Sequence, residues 1–319
     1  MYTVFIDGHI GTTGLLIRSR LEERSDIEIL NVAEAERKNP KVKRDVMSSA
    51  DVVILCLPDD AARESFEIGK GSTRFIDASS AHRVDPAWIY GLPELKTKHR
   101  EAISNAQYVT NPGCWATAFI ALTAPLINQG ILSRDSQLTI NGVSGYSGGG
   151  KSLITRYEEQ QLSRPDALWH SRPYALGLTH KHIPEMLIHS GLGIEPLFLP
   201  SVGHFHQGML VSVPLFSEQL TSCSRSMDDI YKCLNERYES EPCVTLHHPN
   251  DENALDRGFI DPQKNNETNE LDIYIFGKES QIVLISVLDN LGKGASGAAV
   301  QNLNLMLGLP EFSGLNVKR

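Results

Sequence analysis

Short apolar runs alternate with stretches in which apolar residues recur every three to four positions. Residues 2–6 form an apolar run of the buried-strand type, and residues 11–23 carry Leu15, Leu16 and Leu21 at helical spacing. The same alternation predicts strands over 27–32, 52–57 and 74–78, and helices over 44–50 and 59–69. Strand and helix in regular succession make an open parallel sheet with helices on both faces. After Asn111 the pattern changes. Residues 115–128 predict a long helix, and beyond it strands predominate, over 137–143, 196–200, 209–216, 271–276 and 281–288. Several lack a crossover helix between them, which predicts a mixed or antiparallel sheet. Residues 226–238 predict a helix and 251–270 a polar, Asn-rich surface loop. Residues 295–307 close the chain as a helix with Val300, Leu303 and Leu307 at helical spacing. The expected class is therefore α/β: an N-terminal parallel-sheet nucleotide domain (1–113 plus 291–319), an inserted substrate domain (114–290), and a C-terminal helix that returns to the first domain.

Length and composition narrow the class of protein. At 319 residues the chain suits two domains and buries enough surface to need no disulfide or metal staple. Hydrophobic residues at 41% and charged residues at 22% exclude a disordered or collagenous chain. A net charge of -9 argues against a nucleic-acid or anionic-membrane binder. The longest apolar stretch, 116–127, is too short to span a bilayer, and the opening MYTVFIDG reads as a first strand rather than a signal peptide. The cysteines, Cys56, Cys114, Cys223, Cys233 and Cys243, are scattered and never spaced CxxC, which argues against a disulfide framework or a zinc knuckle. A reduced, cytoplasmic enzyme is expected.

Chemistry enters first at the turn between the first strand and the first helix. Gly8, Gly11 and Gly14, with Thr12 and Thr13, form GxxGxxG rather than GxGxxG. Glycines there let the backbone approach a diphosphate, and the helix that follows presents free N–H groups to it; the other reading is a plain tight turn. An NAD enzyme places an acid at the end of the second strand to hold the ribose. Here Asn31 occupies that zone, Glu34 and Glu36 lie later, and Arg37 and Lys38 follow. Arg37 and Lys38 suit a 2′-phosphate, so NADP is the expected cofactor; the alternative is a solvated charged loop.

A second constellation is Asn111-Pro112-Gly113-Cys114 before the long helix. The turn aims Cys114 at the first helical turn, where the helix dipole and unpaired N–H groups favour a thiolate. The same N–H groups suit an oxyanion on a carbonyl attacked by that sulfur. Cys56 lies within the predicted 52–57 strand and reads as inert, and Cys223, Cys233 and Cys243 read as peripheral. A nucleophilic thiol needs a proton carrier. His180 and His182 precede Pro184, which biases Ile183 towards extended backbone and so predicts both histidines on one face. Glu185 then opens a short helix and is expected to orient one imidazole. His204 and His206 form a second alternating pair, but no cysteine or carboxylate accompanies either pair at ligand spacing, so no metal is expected.

Gly145, Gly150, Lys151 and Ser152 match GxxxxGK[ST], the P-loop. A nucleotide hydrolase is therefore a rival reading. Against it stand the mid-chain position and the earlier nucleotide turn. The alternative is a glycine-rich loop lining a substrate pocket, with Ser147 or Lys151 available for a phosphate. A non-catalytic dinucleotide-binding redox sensor, with Cys114 as the sensing thiol, is a third reading.

Taken together, IDGHIGTTG, DASSAHR (77–83), YGLPEL (90–95), NPGCWAT around Cys114, GVSGYSGGGK, HKHIPE and DNLGKGASGAAVQNLNLMLG resemble the N-acetyl-gamma-glutamyl-phosphate reductase family in its shorter variety. The resemblance runs from the first strand to the last helix. It implies a Rossmann domain plus an α/β catalytic domain with a mixed sheet, as in glyceraldehyde-phosphate dehydrogenase, in a homo-oligomer (dimer or tetramer). It implies NADPH-dependent reduction of the acyl phosphate N-acetyl-L-glutamyl 5-phosphate to the 5-semialdehyde through a cysteine thioester, in arginine biosynthesis. A reductase of aspartyl or aminoadipyl phosphate is the alternative within this class. By the same resemblance Cys114 matches the nucleophile, and His180, His182 and Glu185 match the histidine motif. Gly8, Gly11, Thr12, Thr13 and Gly14 match the cofactor turn, and Asn290, Gly292 and Lys293 match a second cofactor-facing segment. Arg83 matches an arginine near the substrate. His9 and Ile10 stand where many members carry smaller residues.

Overall fold

The computed structural model describes residues 1–8, 11–221 and 226–318. They form two compact units, one of Met1–Pro93, Thr97–Pro112 and Ala295–Asn316, the other of Glu94–Lys96, Gly113–Gly294 and the last residues from Val317.

The first unit opens with β1 (Tyr2–Asp7), α1 (Thr12–Glu22), β2 (Ile27–Leu30), α2 (Pro40–Ser48), β3 (Val52–Leu55), α3 (Asp59–Gly69) and β4 (Arg74–Asp77). Then come β5 (Ile89–Tyr90), α4 (His99–Asn105) and β6 (Tyr108–Thr110). The strands form one parallel sheet in the order β2-β1-β3-β4-β6-β5. β3 is buried at all four positions, which explains its unbroken Val-Val-Ile-Leu run. α2 starts four residues before the sequence pattern suggests, because Asn39 caps it through the Lys41 N–H and Pro40 fits the first turn. The C-terminal helix, Gly297–Leu307, packs into this unit: Val300, Leu303 and Met306 share a core with Val4, Ile17 and Ile76. The expected return of the chain to the first domain is thus found. β5, α4 and β6 have no counterpart in the pattern reading, since two- and three-residue strands are too short to show a period.

The second unit begins with α5 (Cys114–Asn128), β7 (Thr139–Gly145), α6 (Gly150–Ser163), β8 (Ser171–Pro173) and α7 (Ile183–Ser190). β9 (Leu197–Gly203), β10 (Met209–Phe216), α8 (Met227–Tyr238), β11 (Val244–Leu246), β12 (Leu271–Lys278) and β13 (Gln281–Leu288) complete it. Its seven strands run β11-β12-β13-β10-β7-β9-β8 in a mixed sheet. β10 pairs antiparallel with both β13 and β7, whereas β7 and β9 are parallel. Every residue of α5 from Trp115 to Ile127 is buried, so its apolar character runs all round the helix. α8 is closed by a capping box between Ser226 and Asp229. On the opposite face of the sheet Leu197, Leu199 and Phe216 are exposed. The loop before β12 holds one 3-10 turn, Glu252–Ala254. Cys233 and Cys243 are buried in this unit rather than peripheral, and Cys223 lies outside the described residues.

Candidate active site

In the second unit Cys114 is the first residue of α5 and is half-buried. Gly113 precedes it in extended backbone, and among the described residues no side chain caps the helix start. The Gly113 N–H donates instead to Oε2 of Glu185, at 3.1 Å. Glu185 is buried, and its other oxygen lies 3.9 Å from Nε2 of His182. The backbone N–H of His182 donates to Nδ1 of His180 (3.1 Å). Nε2 of His180 faces the hydroxyl of Tyr174 at 3.3 Å. That hydroxyl accepts a hydrogen bond from Trp115 Nε1 at 3.1 Å. The path from Trp115 through Tyr174, His180, His182 and Glu185 to Gly113 thus begins and ends at the two chain neighbours of Cys114. Burial pushes the Tyr174 phenol above its ordinary pKa, and charge on the nearby Cys114 sulfur adds to the shift.

The two histidines come together differently from the expectation. His182 is helical in backbone and serves as the N-cap of α7, and the Ile183 N–H closes a turn on the His180 carbonyl. Pro184 sits in the first turn, where its missing N–H costs nothing, so the helix begins one residue before it despite the usual bias. The rings meet edge to face, with centroids 4.7 Å apart.

The second unit also holds Asn290, Lys151, Lys293 and Gly294. Asn290 is buried, donates to the Ser147 hydroxyl (3.0 Å) and accepts from the Gly208 N–H (2.7 Å). Lys151 is exposed in the first turn of α6. Lys293 is buried and ion-paired with Glu94 at 2.8 Å. Gly294, next in sequence, leaves no space beside Cys114: a β-carbon there would stand 2.6 Å from that of Cys114. The glycine run after β7 passes through a 3-10 turn, Tyr146–Gly149, into α6, beside a strand whose neighbour β10 is antiparallel.

The first unit holds a separate cavity of about 710 Å³, lined among others by Gly8, Gly11, Asn31, Arg37, Lys38 and Lys43. Gly8 has a φ of +93°, and any β-carbon on it would collide with the Cys56 carbonyl oxygen. Gly11 is the N-cap of α1, with Thr12, Thr13 and the buried Gly14 in its first turn. His9 and Ile10 lie outside the described residues. Cys56 follows β3 instead of lying within it, and it lines the cavity; burial, then Asp77 and Asp7, raise its thiol pKa. Asn31 accepts from Arg18, and Arg37 pairs with Glu34 at 3.1 Å. Arg83 is buried and donates to the Asn111 carbonyl at 3.0 Å. A strand end, a glycine that no larger residue can replace, an uncapped helix start and four cationic residues on the cavity wall, Arg18, Arg37, Lys38 and Lys43, fit a dinucleotide.

Tyr174, Trp115, Glu94 and Gly294 had no signal in spacing rules. Gly294 stands in the DNLGKG block, and Tyr174 lies six residues before His180 with no periodic relation to it.

Two family patterns cover most of the chain. The one described as semialdehyde dehydrogenase, NAD binding domain, matches residues 3–106, and the one described as semialdehyde dehydrogenase, dimerisation domain, matches residues 114–290. The chain is 48% identical over 318 residues to N-acetyl-gamma-glutamyl-phosphate reductase 2 of Nostoc sp., covering 98% of each. It is 46% identical over 310 residues to the N-acetyl-gamma-glutamyl-phosphate reductase of Brucella ovis, covering 96% of this chain and 98% of the relative. Among solved structures it superposes on aspartate semialdehyde dehydrogenase II of Vibrio cholerae with a TM-score of 0.70 at 17% identity, over 97% and 99% of the two chains. The aspartate semialdehyde dehydrogenase of Candida albicans solved with NADP gives a TM-score of 0.62 at 12% identity, over 96% and 98%. These two likenesses speak to the fold.

Proposed function

The chain belongs to the semialdehyde dehydrogenase family, and on that premise we propose that it reduces N-acetyl-L-glutamyl 5-phosphate to N-acetyl-L-glutamate 5-semialdehyde with release of phosphate, as a step of arginine biosynthesis. The observation that carries the reading is the position of Cys114 at an uncapped helix start, with Trp115, Tyr174, His180, His182 and Glu185 linked around it.

In this reading the Cys114 sulfur attacks the acyl carbonyl carbon. The carbon–oxygen bond to phosphate breaks, phosphate leaves with the electron pair, and a thioester remains on Cys114. The N–H groups of the first turn of α5 stabilise the oxyanion that forms on the way. NADPH, when bound, supplies the hydride that takes the thioester to the aldehyde level. His180 or His182 gives a proton to the substrate oxygen as charge gathers there and takes it back as the carbon–sulfur bond breaks. Glu185 orients His182, and Tyr174 fixes the face that His180 presents. Gly8, Gly11, Thr12, Thr13 and Gly14 hold the pyrophosphate, while Arg37 and Lys38 read the 2′-phosphate. Asn290 and Gly292 belong to the second cofactor segment. Lys151 takes the substrate phosphate, Ser147 acts beside it through Asn290, and Arg83 contributes to holding the substrate.

We also propose a cytoplasmic homo-oligomer. Leu197, Leu199 and Phe216 give the mixed sheet an open apolar face suited to a second copy, and no described helix is long and apolar enough to cross a membrane.

The test is the reverse reaction. With phosphate and NADP, N-acetylglutamate semialdehyde should turn over and aspartate semialdehyde should not. Cys114→Ser should abolish turnover while NADPH still binds. Turnover of the aspartate compound alone, ATP hydrolysis in its place, or an active Cys114→Ser variant would each overturn the reading. Comparing His180→Asn with His182→Asn assigns the proton carrier.

A further inference from the structure

Lys293 and Glu94 are buried almost completely, at 1% and 3% exposure, with Nζ 2.8 Å from Oε1. The same carboxylate oxygen accepts from the Cys243 thiol at 3.1 Å. A buried ion pair gains little net stability over an apolar pair of equal volume, so its presence calls for another explanation. The residue after Lys293 supplies one. Gly294 packs its backbone directly on the β-carbon of Cys114, within the π-helical turn Gly292–Ser296. Such turns are rare and recur at functional sites. On one side the turn is held by Asp289, whose carbonyl accepts from the Gly294 N–H (2.9 Å) and whose carboxylate accepts from the N–H groups of Leu291 (2.8 Å) and Glu267 (2.9 Å). On the other side it is held by Lys293 through Glu94.

We infer that the Glu94–Lys293 pair is a positioning device for the nucleophile: it presses Gly294 against Cys114 and so fixes where the sulfur stands. In this inference the Lys293 ammonium acts through Glu94. A charge pair suits this task because it is directional and strong when dry, whereas an apolar contact would let the turn slide. The inference rests on Cys114 being the nucleophile, as proposed above.

The experiment compares wild type, Lys293→Met, Glu94→Gln, their combination and Lys293→Arg, each checked for folding by circular dichroism. The readouts are kcat, the KM for NADPH, and the rate at which iodoacetamide alkylates Cys114, followed by peptide mass spectrometry. Lys293→Met and Glu94→Gln are each expected to lower kcat and shift the alkylation rate by about tenfold or more, the cost of a misplaced reacting group. The KM for NADPH should stay within about twofold, because uniform cofactor binding is untouched. The combination should be no worse than either single variant, since the two residues act as one unit. A raised KM for NADPH with normal kcat would make Lys293 a cofactor contact and overturn the inference. Folded variants with unchanged kcat and alkylation would overturn it too. If Lys293→Met does not fold, Lys293→Arg carries the test, with a smaller loss of kcat expected and an unaltered kcat counting against the idea. If wild type shows no phosphate-dependent turnover, the proposed function fails, while the alkylation rates still report whether the pair positions Cys114.

Discussion

The N–H of Gly113 donates to the buried carboxylate of Glu185 across 71 intervening residues, at 3.1 Å. The residue before the candidate nucleophile is thereby tied to the helix that carries the histidine motif. Glu185→Ala should leave that N–H buried without an acceptor and cost about 1–3 kcal/mol of stability. Glu185→Gln keeps an acceptor but removes the charge beside His182. Its urea midpoint should stay close to wild type while kcat falls about tenfold. An unchanged kcat in Glu185→Gln would show that the carboxylate acts only as an acceptor for Gly113.

Tyr174 links Trp115 to His180 through one hydroxyl. Tyr174→Phe removes the acceptor for the indole N–H and the partner of the imidazole. Stability should drop by about 1–3 kcal/mol. The larger effect should be on kcat, about tenfold or more, with the KM for NADPH unmoved. Steady-state kinetics with urea unfolding on the same preparation checks both.

Gly294→Ala places a methyl group 2.6 Å from the β-carbon of Cys114 and 3.1 Å from the Asp289 carbonyl oxygen. One side must shift. The expected result is a fall in kcat of about 10- to 100-fold, because the sulfur moves with the start of its helix. An active Gly294→Ala enzyme would show that the turn yields and Cys114 does not depend on it.

Arg37 and Lys38 stand on the wall of the cavity in the first unit, the proposed dinucleotide site. The double variant Arg37→Ala/Lys38→Ala should raise the KM for NADPH by about 10- to 100-fold, the worth of lost charge-assisted hydrogen bonds, and leave the KM for NADH nearly unchanged. Stability should hardly change, since the Arg37–Glu34 pair is largely exposed.

Asp272 offers a prediction away from the site. Burial alone would raise its pKa, but hydrogen bonds from His247 and Lys264 and the Lys264 charge outweigh it and bring the group down to about 2. A carboxylate whose folded pKa lies below its unfolded value stabilises the protein above about pH 4 and loses that contribution as the pH falls towards 2. The contribution is about 2 kcal/mol. Urea unfolding between pH 5 and pH 2.5 should show a steeper loss for wild type than for Asp272→Asn; parallel curves would exclude the linkage.

Much of the first unit was legible because its rules are local. The strand at Val52–Leu55, the helix at Asp59–Gly69 and the glycine turn each follow from neighbours a few positions apart. The mixed sheet was legible too, since the strands at Leu271–Lys278 and Gln281–Leu288 follow one another with no helix between them. The histidine pair was misread in detail. Spacing put His180 and His182 on one extended face, whereas a helix start at Ile183 folds them into a turn. Extended backbone and a first helical turn compete closely before proline, and packing of α7 against α5 decides between them.

The sequence by itself determined the two-part α/β architecture, a glycine turn between the first strand and the first helix, and a cysteine at the start of a buried helix. Each depends on periodicity or on residues adjacent in the chain. Only the tertiary structure decided that Glu185 holds Gly113, that Tyr174 spans Trp115 and His180, and that Lys293 answers Glu94 while Gly294 abuts Cys114. Those contacts join residues far apart in the chain, and no spacing rule encodes them. They form because a buried polar group must find partners inside the protein, and the fold decides which ones come within reach.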